Sequence, residues 1–361
     1  MTKSFTLLSK IDTKVIFIFV FFFTVYINNA QKIEIVKYLP KIKVTDIKND
    51  RKDIWVTSEG DGIFKYSYKN KKWQNFSTNN KKIKQDFFHC IETSYRYIWA
   101  GSTNGLYTYD KKRKKWNRKG FSKGGQFGNW IRSLEYDKKK RTLWIGRFRN
   151  LSKYDLRKKK YYSYDLTIKK NEKTNSIKSL YLDGDSLLWI GTEAGLYKFN
   201  KKGNISKKRG LSFYDSKKNY FLNEGDQVSI TNILTEQNSI WFGTDEFVTP
   251  ENPNFNIGGL YKFDRGIDWT KQIGNGIYDF EVVGNNIWVA SYQFDIKNKK
   301  QIPMGITLVN RLTMETFKLE DNEIPVIINS LHFDGTYMWL GTNDGVRRID
   351  LTNEIVPNFI K

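Results

Sequence analysis

The imidazole and thiol groups in this 361-residue chain, the side chains most often used for acid–base or nucleophilic chemistry near neutral pH, are few: two histidines, His89 and His332, and one cysteine, Cys90. Catalysis of either kind needs such groups held beside a carboxylate, a base or a hydroxyl. The histidines lie in separate repeats, each on a strand, and fit core or channel-lining positions. No serine elbow, HExxH pair or phosphate-cradling glycine loop is present. Cys90 has no second cysteine to bridge or to share a zinc ion with, so it is expected as a small buried core residue. Asp137, Asp183 and Asp334 each follow an apolar strand and are expected to cap tight turns. No catalytic residue, metal site or cofactor is therefore expected, and the chain reads as a non-enzyme.

Three other sets of residues have the chemistry of recognition. Aromatics and amides gather in long irregular segments: Phe213, Tyr214 and Tyr220; Phe247, Asn252, Asn254 and Phe255; Tyr292, Gln293 and Phe294. Such groups stack on and hydrogen-bond a sugar or a peptide, although loops that have merely drifted in length would look the same. Thr45, His89, Arg132, Lys178, Thr231, Tyr278 and Asn329 each follow the first apolar position of a short strand. A ring of them would suit an anionic or hydroxyl-rich ligand, or simply channel water. The third set is basic: Lys71 and Lys72; Lys112, Arg113, Lys114 and Lys115; Arg157, Lys158, Lys159 and Lys160. With a formal charge of +23, a polyanion comes to mind, or a plainly solvated face.

These residues must be positioned by a repeat. Its most regular copy runs Leu188-Trp189-Ile190-Gly191-Thr192, then Gly195-Leu196-Tyr197-Lys198-Phe199, preceded by the strand Ile177 to Asp183. The tryptophan recurs at Trp55, Trp99, Trp144, Trp189, Trp241, Trp288 and Trp339, at gaps of 44 to 52 residues. A period near 45 with several short strands per unit is the signature of propeller blades. The expectation is an all-β chain forming one seven-bladed β-propeller of four-stranded antiparallel blades over residues 31–361. The tryptophans should fill the wedges between blades. Gly101, Gly146, Gly191, Gly243 and Gly341 should allow close backbone approach. Gly62, Gly105, Gly195, Gly259, Gly305 and Gly345 suit turns of positive φ, with Asn150 in their place in the third blade. Lys32 to Leu39 should add an outer strand to the last blade and close the ring.

The repeat also assigns faces. The outer-to-inner connections and the turns between second and third strands share one face, here the top; the remaining turns lie on the bottom. The step from the repeat tryptophan to the third-strand glycine is 6 or 7 residues in most blades but 18 in the fifth and 17 in the sixth. The aromatic and amide segments thus converge on one top sector, and the basic runs of blades one to four form a bottom crescent.

The N-terminus stands apart. Lys3, Lys10 and Lys14 precede or border an apolar run from Val15 to Ile27, followed by Ala30 at a small-residue exit. Residues 1–30 read as a secretory signal peptide, the run being short for a membrane span; the alternative is an uncleaved membrane anchor. Export to the periplasm or cell surface would exclude nucleic acid as the partner. It would favour lipopolysaccharide, an acidic glycan or a membrane surface for the basic crescent.

The phrases Ile-x-Ser-Leu-x-x-Asp, Leu-Trp-Ile-Gly-Thr and Gly-Leu-Tyr-Lys-Phe resemble the two-component regulator propeller repeat over nearly the whole chain. That resemblance implies a propeller for extracytoplasmic recognition, as in the periplasmic sensor half of hybrid histidine kinases that respond to glycans. The sequence stops at Lys361, just after the seventh repeat, so a stand-alone propeller is expected. The expected function is recognition of a glycan or cell-envelope component, as a sensor accessory. The alternative is an envelope scaffold docking a protein. Streptogramin lyases share the seven-bladed shape and are enzymes, but no His-plus-acid cluster resembling theirs is visible here.

Overall fold

The repeat tryptophan decides the packing. A flat ring at the same point of every twisted sheet fills the gap to the next sheet, and seven such gaps close a circle. In the computed structural model, which describes residues 34–121, 126–215, 221, 228–236, 239–249, 252–256, 258–264 and 269–352 (backbone only at 126, 247–249, 252–256 and 269), that circle is complete. Residues 1–30 and Tyr220 lie outside the described residues.

Seven four-stranded antiparallel sheets follow one another in chain order. Blade 3 is typical, with strands Ile131–Asp137, Thr142–Arg147, Leu151–Asp155 and Lys160–Tyr164, innermost to outermost. Blade 7 takes its outermost strand from the start of the described chain: Ile35–Tyr38 pairs antiparallel with Gly345–Asp350. This interlock joins the two ends of the ring and leaves no unpaired blade edge at the closure.

Each hydrophobic cluster joins the tryptophan of one blade to apolar residues of the next. Trp189 packs with Ile230, Ile233 and Phe242 of blade 5, and Trp339 packs with Val44, Ile47 and Val56 of blade 1. Removing one such ring from a closed core costs about 3–5 kcal/mol. The following glycine lets the blades approach: a Cβ on Gly191 would sit 2.7 Å from Ile230 Cγ2.

One expectation on the turn glycines is corrected. Gly62, Gly105, Gly195, Gly305, Gly345 and Asn150 do adopt positive φ, but Gly259 does not. Its neighbours explain the absent side chain, since a Cβ there would meet the Ile273 backbone oxygen at 2.8 Å.

The acids after the inner strands do more than cap turns. Asp137 accepts the Lys140 N–H, and Asp334 those of Thr336 and Tyr337. Four of these acids also accept the indole N–H of their own blade: Asp50 from Trp55, Asp183 from Trp189, Glu236 from Trp241 and Asp334 from Trp339, at 2.7–3.1 Å. The indole N–H groups of Trp99, Trp144 and Trp288 are buried without a partner among the described residues.

Candidate functional site

Every inner strand carries a register shift after its first apolar residue, and the residue left out of the ladder is Thr45, His89, Arg132, Lys178, Thr231, Tyr278 or Asn329. A bulge re-aims the side chain it leaves unpaired. All seven line one cavity of about 460 Å³ at the centre of the ring. The mouth is more committed than its composition suggests. Arg132 donates to Glu193 at 2.6 Å and to Ser176 at 3.0 Å. Lys178 is bound by Asp245 and by Ser229. Thr45 donates to Phe88 O at 2.9 Å, and Asn329 to Val44 O at 2.9 Å. His89 Nε2 and Thr231 Oγ1 are buried and without a partner among the described residues. Burial, helped by the Arg132 charge, lowers His89 to about 4, so its imidazole is neutral.

Three residues further along each strand, Lys48, Glu92, Glu135, Tyr181, Leu234, Glu281 and His332 line the same cavity. The carboxylates outnumber Lys48, and Asp46 and Asp279 add to them. Burial, and the charge of Glu135 beside it, holds Glu92 well above the usual glutamate range; burial raises Glu135 likewise and lifts Asp279 to about 7. Burial opposes the charge on Lys48, but Asp46, Glu92, Glu281 and Glu135 outweigh it and raise its pKa. These groups are structural fasteners. Asp46 accepts the N–H of Ile91, Glu135 that of Leu182 and Asp279 that of Leu331, each on the next blade. His332 Nε2 accepts the Asn49 N–H across the closure at 3.1 Å. Among the described residues no His, Cys, Asp and Glu group is arranged to hold a metal ion. Cys90 is buried, and burial pushes its thiol up.

The top-sector segments differ from loops. In blade 5 the insertion forms a small hairpin, Phe247–Thr249 with Asn252–Asn256, which carries Phe247, Asn252, Asn254 and Phe255. In blade 6 the two middle strands are simply longer, Asn286–Asp295 and Lys300–Asn310. Tyr292 is a correction: it is fully buried, its hydroxyl donating to Asp245 and accepting the Glu246 N–H, so it offers no surface to a ligand. Gln293 is exposed, and the Phe294 N–H donates to Glu246. Phe213 and Tyr214 are not in a loop, and both are half-buried. They belong to the outermost strand of blade 4, where Phe213 lies 4.6 Å from the Tyr197 ring and Tyr214 6.0 Å from Trp189.

The bottom-face residues Lys71, Lys72, Lys112, Arg113, Lys114, Lys115, Arg157, Lys158, Lys159 and Lys160 are all exposed, at the turns into the outermost strands of blades 1 to 3. None of them makes an ion pair among the described residues. Two basic neighbours are used internally: Lys111 pairs with Asp50 at 2.5 Å and Lys201 with Asp137 at 2.7 Å.

The sequence reading missed a row of rings beside the mouth. His89 and Trp130 lie 5.4 Å apart, Trp130 and Phe148 5.4 Å apart at 19°, and Phe148 and Phe127 4.9 Å apart at 28°. The available signal was blade 3's departure from its own repeat: Phe148-Arg149-Asn150 replaces the Glu193-Ala194-Gly195 seen in blade 4.

A family model for the two component regulator propeller matches residues 171–194, the approach to blade 4 and its first two strands. The fold is similar to the extracellular domain of the one component system BT4673 from B. thetaiotaomicron (TM-score 0.65, 17% identity, 89% of this chain and 40% of that one). It is also similar to that of the hybrid two component system BT3049 from the same organism (TM-score 0.65, 15% identity, 88% and 42%). The chain therefore spans about two fifths of these sensor domains. Catalytically inactive virginiamycin B lyase from Staphylococcus aureus, solved with quinupristin, shares the fold as well (TM-score 0.61, 13% identity, 89% and 99%). No curated protein matches the sequence. Among the described residues no helix is long and apolar enough to cross a membrane. The chain is a seven-bladed β-propeller that matches the two component regulator propeller model at residues 171–194 and shares its fold with the extracellular domains of BT4673 and BT3049.

Proposed function

We propose that this chain is a non-catalytic recognition propeller, exported to the periplasm or cell surface, that binds a glycan or another cell-envelope component on its top face and serves a sensor system. The observation that carries this reading is the mouth itself. Seven bulged residues from seven different blades meet around one polar cavity, the concave and preformed kind of place where small ligands bind. The shared fold with two sensor extracellular domains supports the compartment and the sensor role. The structural use of the cavity carboxylates supports a role without catalysis, because each of Asp46, Glu135 and Asp279 is occupied by a backbone N–H of the next blade.

The test is a thermal-shift series with the purified protein and neutral or acidic envelope and plant oligosaccharides, at low and high salt. A ligand of the folded state raises the melting temperature by mass action. A shift that survives high salt supports the top face. Absence of a shift with every glycan overturns the reading. A second reading, envelope docking through the bottom crescent, is favoured by the unpaired lysines there; for it a shift would appear only with anionic ligands and vanish with salt.

A further inference from the structure

Blade 3 departs from the repeat in two linked ways. After the close-approach position, Ser58, Ser102, Thr192, Thr244 and Thr342 turn their hydroxyls back onto their own turn. Blade 3 has Arg147 there instead, 3% exposed, with no carboxylate paired to it among the described residues. Its guanidinium donates to Gly128 O at 2.6 Å and to Ser163 Oγ at 2.6 Å, and lies over the Phe121 ring at 5.2 Å. Burial lowers it to about 10, as expected for a cation with no anion beside it. What this side chain does is fasten the segment that carries Phe127 and Trp130 to the blade. The Phe148 N–H donates to Trp130 O at 2.8 Å and adds a second fastening.

The second departure is Phe148. The same place in other blades holds Glu59, Thr103, Glu193, Asp245 and Asn343, or the buried Tyr292. Phe148 instead stacks between Trp130 and Phe127, and Phe127 is 53% exposed. The row begins at the cavity mouth, on neutral His89, and runs outward across the top of blade 3.

We propose that the exposed face of Phe127, backed by the stack of Phe148 and Trp130 and by the Arg132 guanidinium over Phe148, forms a platform for a pyranose of a neutral glycan beside the cavity mouth. This rests on the glycan reading above and assigns it a place. Aromatic faces take the C–H face of a sugar ring, and a platform already held rigid gives up little entropy on binding. Charge selects among stacking ligands. Lys48 in the cavity below already faces Asp46, Glu92, Glu281 and Glu135, and Arg132 and Lys178 at its rim are already paired, so an anion finds no uncommitted cation there among the described residues. A phosphate- or uronate-bearing chain is therefore disfavoured, and an uncharged, hydroxyl-rich one fits.

The experiment is titration of the purified protein with cellohexaose, xylohexaose and mannohexaose, with an oligogalacturonate hexamer as the charged competitor. Phe127→Ala, Phe148→Ala and Phe148→Tyr are compared with the wild type. Phe127 is exposed enough that its loss leaves the fold intact, which melting curves check. The expected result is binding of at least one neutral hexaose, about tenfold or more weaker in Phe127→Ala and Phe148→Ala and restored in Phe148→Tyr. Wild-type affinity in both alanine variants overturns the platform while leaving glycan recognition standing. Displacement by oligogalacturonate overturns the neutral class. Absence of binding to every neutral hexaose by the wild type overturns both the platform and the glycan reading.

Discussion

The top and bottom faces use charge in opposite ways. On the top, Arg132 and Lys178 reach across to the next blade and are neutralised by Glu193 and Asp245, with side chains largely out of solvent. On the bottom, Lys112 to Lys115 and Arg157 to Lys160 stand in water with no ion-pair partner among the described residues. Paired and partly buried cations shape a site and fix geometry; unpaired exposed ones create a field that acts at a distance and is screened by salt. The same residue types therefore say different things on the two faces. A net charge of +23 describes the bottom and misdescribes the mouth.

That contrast can be broken by experiment. The largest effect is expected on the bottom. Combining Lys112→Glu, Lys114→Glu and Lys115→Glu should weaken retention on a polyanionic resin by about a hundredfold at low salt, with the difference collapsing at high salt. Binding of a neutral oligosaccharide should be unchanged in this variant. If that binding falls instead, the division of labour between the faces is wrong.

A smaller effect is expected from Arg132→Ala, which leaves Glu193 without its cation. Breaking a partly buried pair should remove about 2 kcal/mol of stability, less than the loss for a fully buried one. Denaturant titration measures it. An equal loss from Lys158→Ala would erase the distinction drawn here, since an exposed unpaired lysine should contribute within about 0.5 kcal/mol.

Smaller again is the indole bond. Asp183→Ala removes the acceptor of the Trp189 N–H and should cost about 1–1.5 kcal/mol. The comparison is Ser94→Ala in blade 2, where Ser94 holds the corresponding turn position and accepts the Tyr97 N–H at 3.0 Å while the Trp99 N–H has no partner among the described residues, so the variant should lose the turn bond alone.

The smallest effect is in pH dependence. The carboxyl of Glu92 titrates above its unfolded value of 4.5. The folded state thus keeps a proton that the unfolded state releases. Stability from this group is complete below the unfolded value and is lost as the pH rises through the folded one. Glu92→Gln should flatten that decline, raising the melting temperature by about 2 °C at alkaline pH relative to the wild type and leaving it unchanged at pH 4. A steeper decline in the variant would show that Glu92 is stabilised as an anion by Lys48.

Much of the fold was legible. Strands such as Lys72–Phe76 and Lys160–Tyr164 fall where the repeat places them, and the strand near Lys32 to Leu39 closes blade 7. The mouth residues were found because one bulge recurs at one position in every inner strand. The top-sector aromatics were read less well. Tyr292 has the chemistry of a binding surface but packs inward, and Phe213 and Tyr214 are half-buried, because strands extend through those segments instead of loops. Phe127, Trp130 and Phe148 went unnoticed because they lie in two separate segments, one on each side of an inner strand. Gly259 was misjudged because steric crowding and positive φ call for the same residue.

What the sequence determined by itself is the unit and its count. A packing solution repeated seven times writes the same tryptophan, glycine and turn acid into the chain at a steady interval, so the pattern is local and readable. What only the tertiary structure decided is what each departure from the unit does. Arg132 meets Glu193 61 residues away, Lys178 meets Asp245 67 residues away, and Arg147 fastens a segment outside its own blade. These partners are set by how neighbouring blades lean together, and no interval along the chain records that angle.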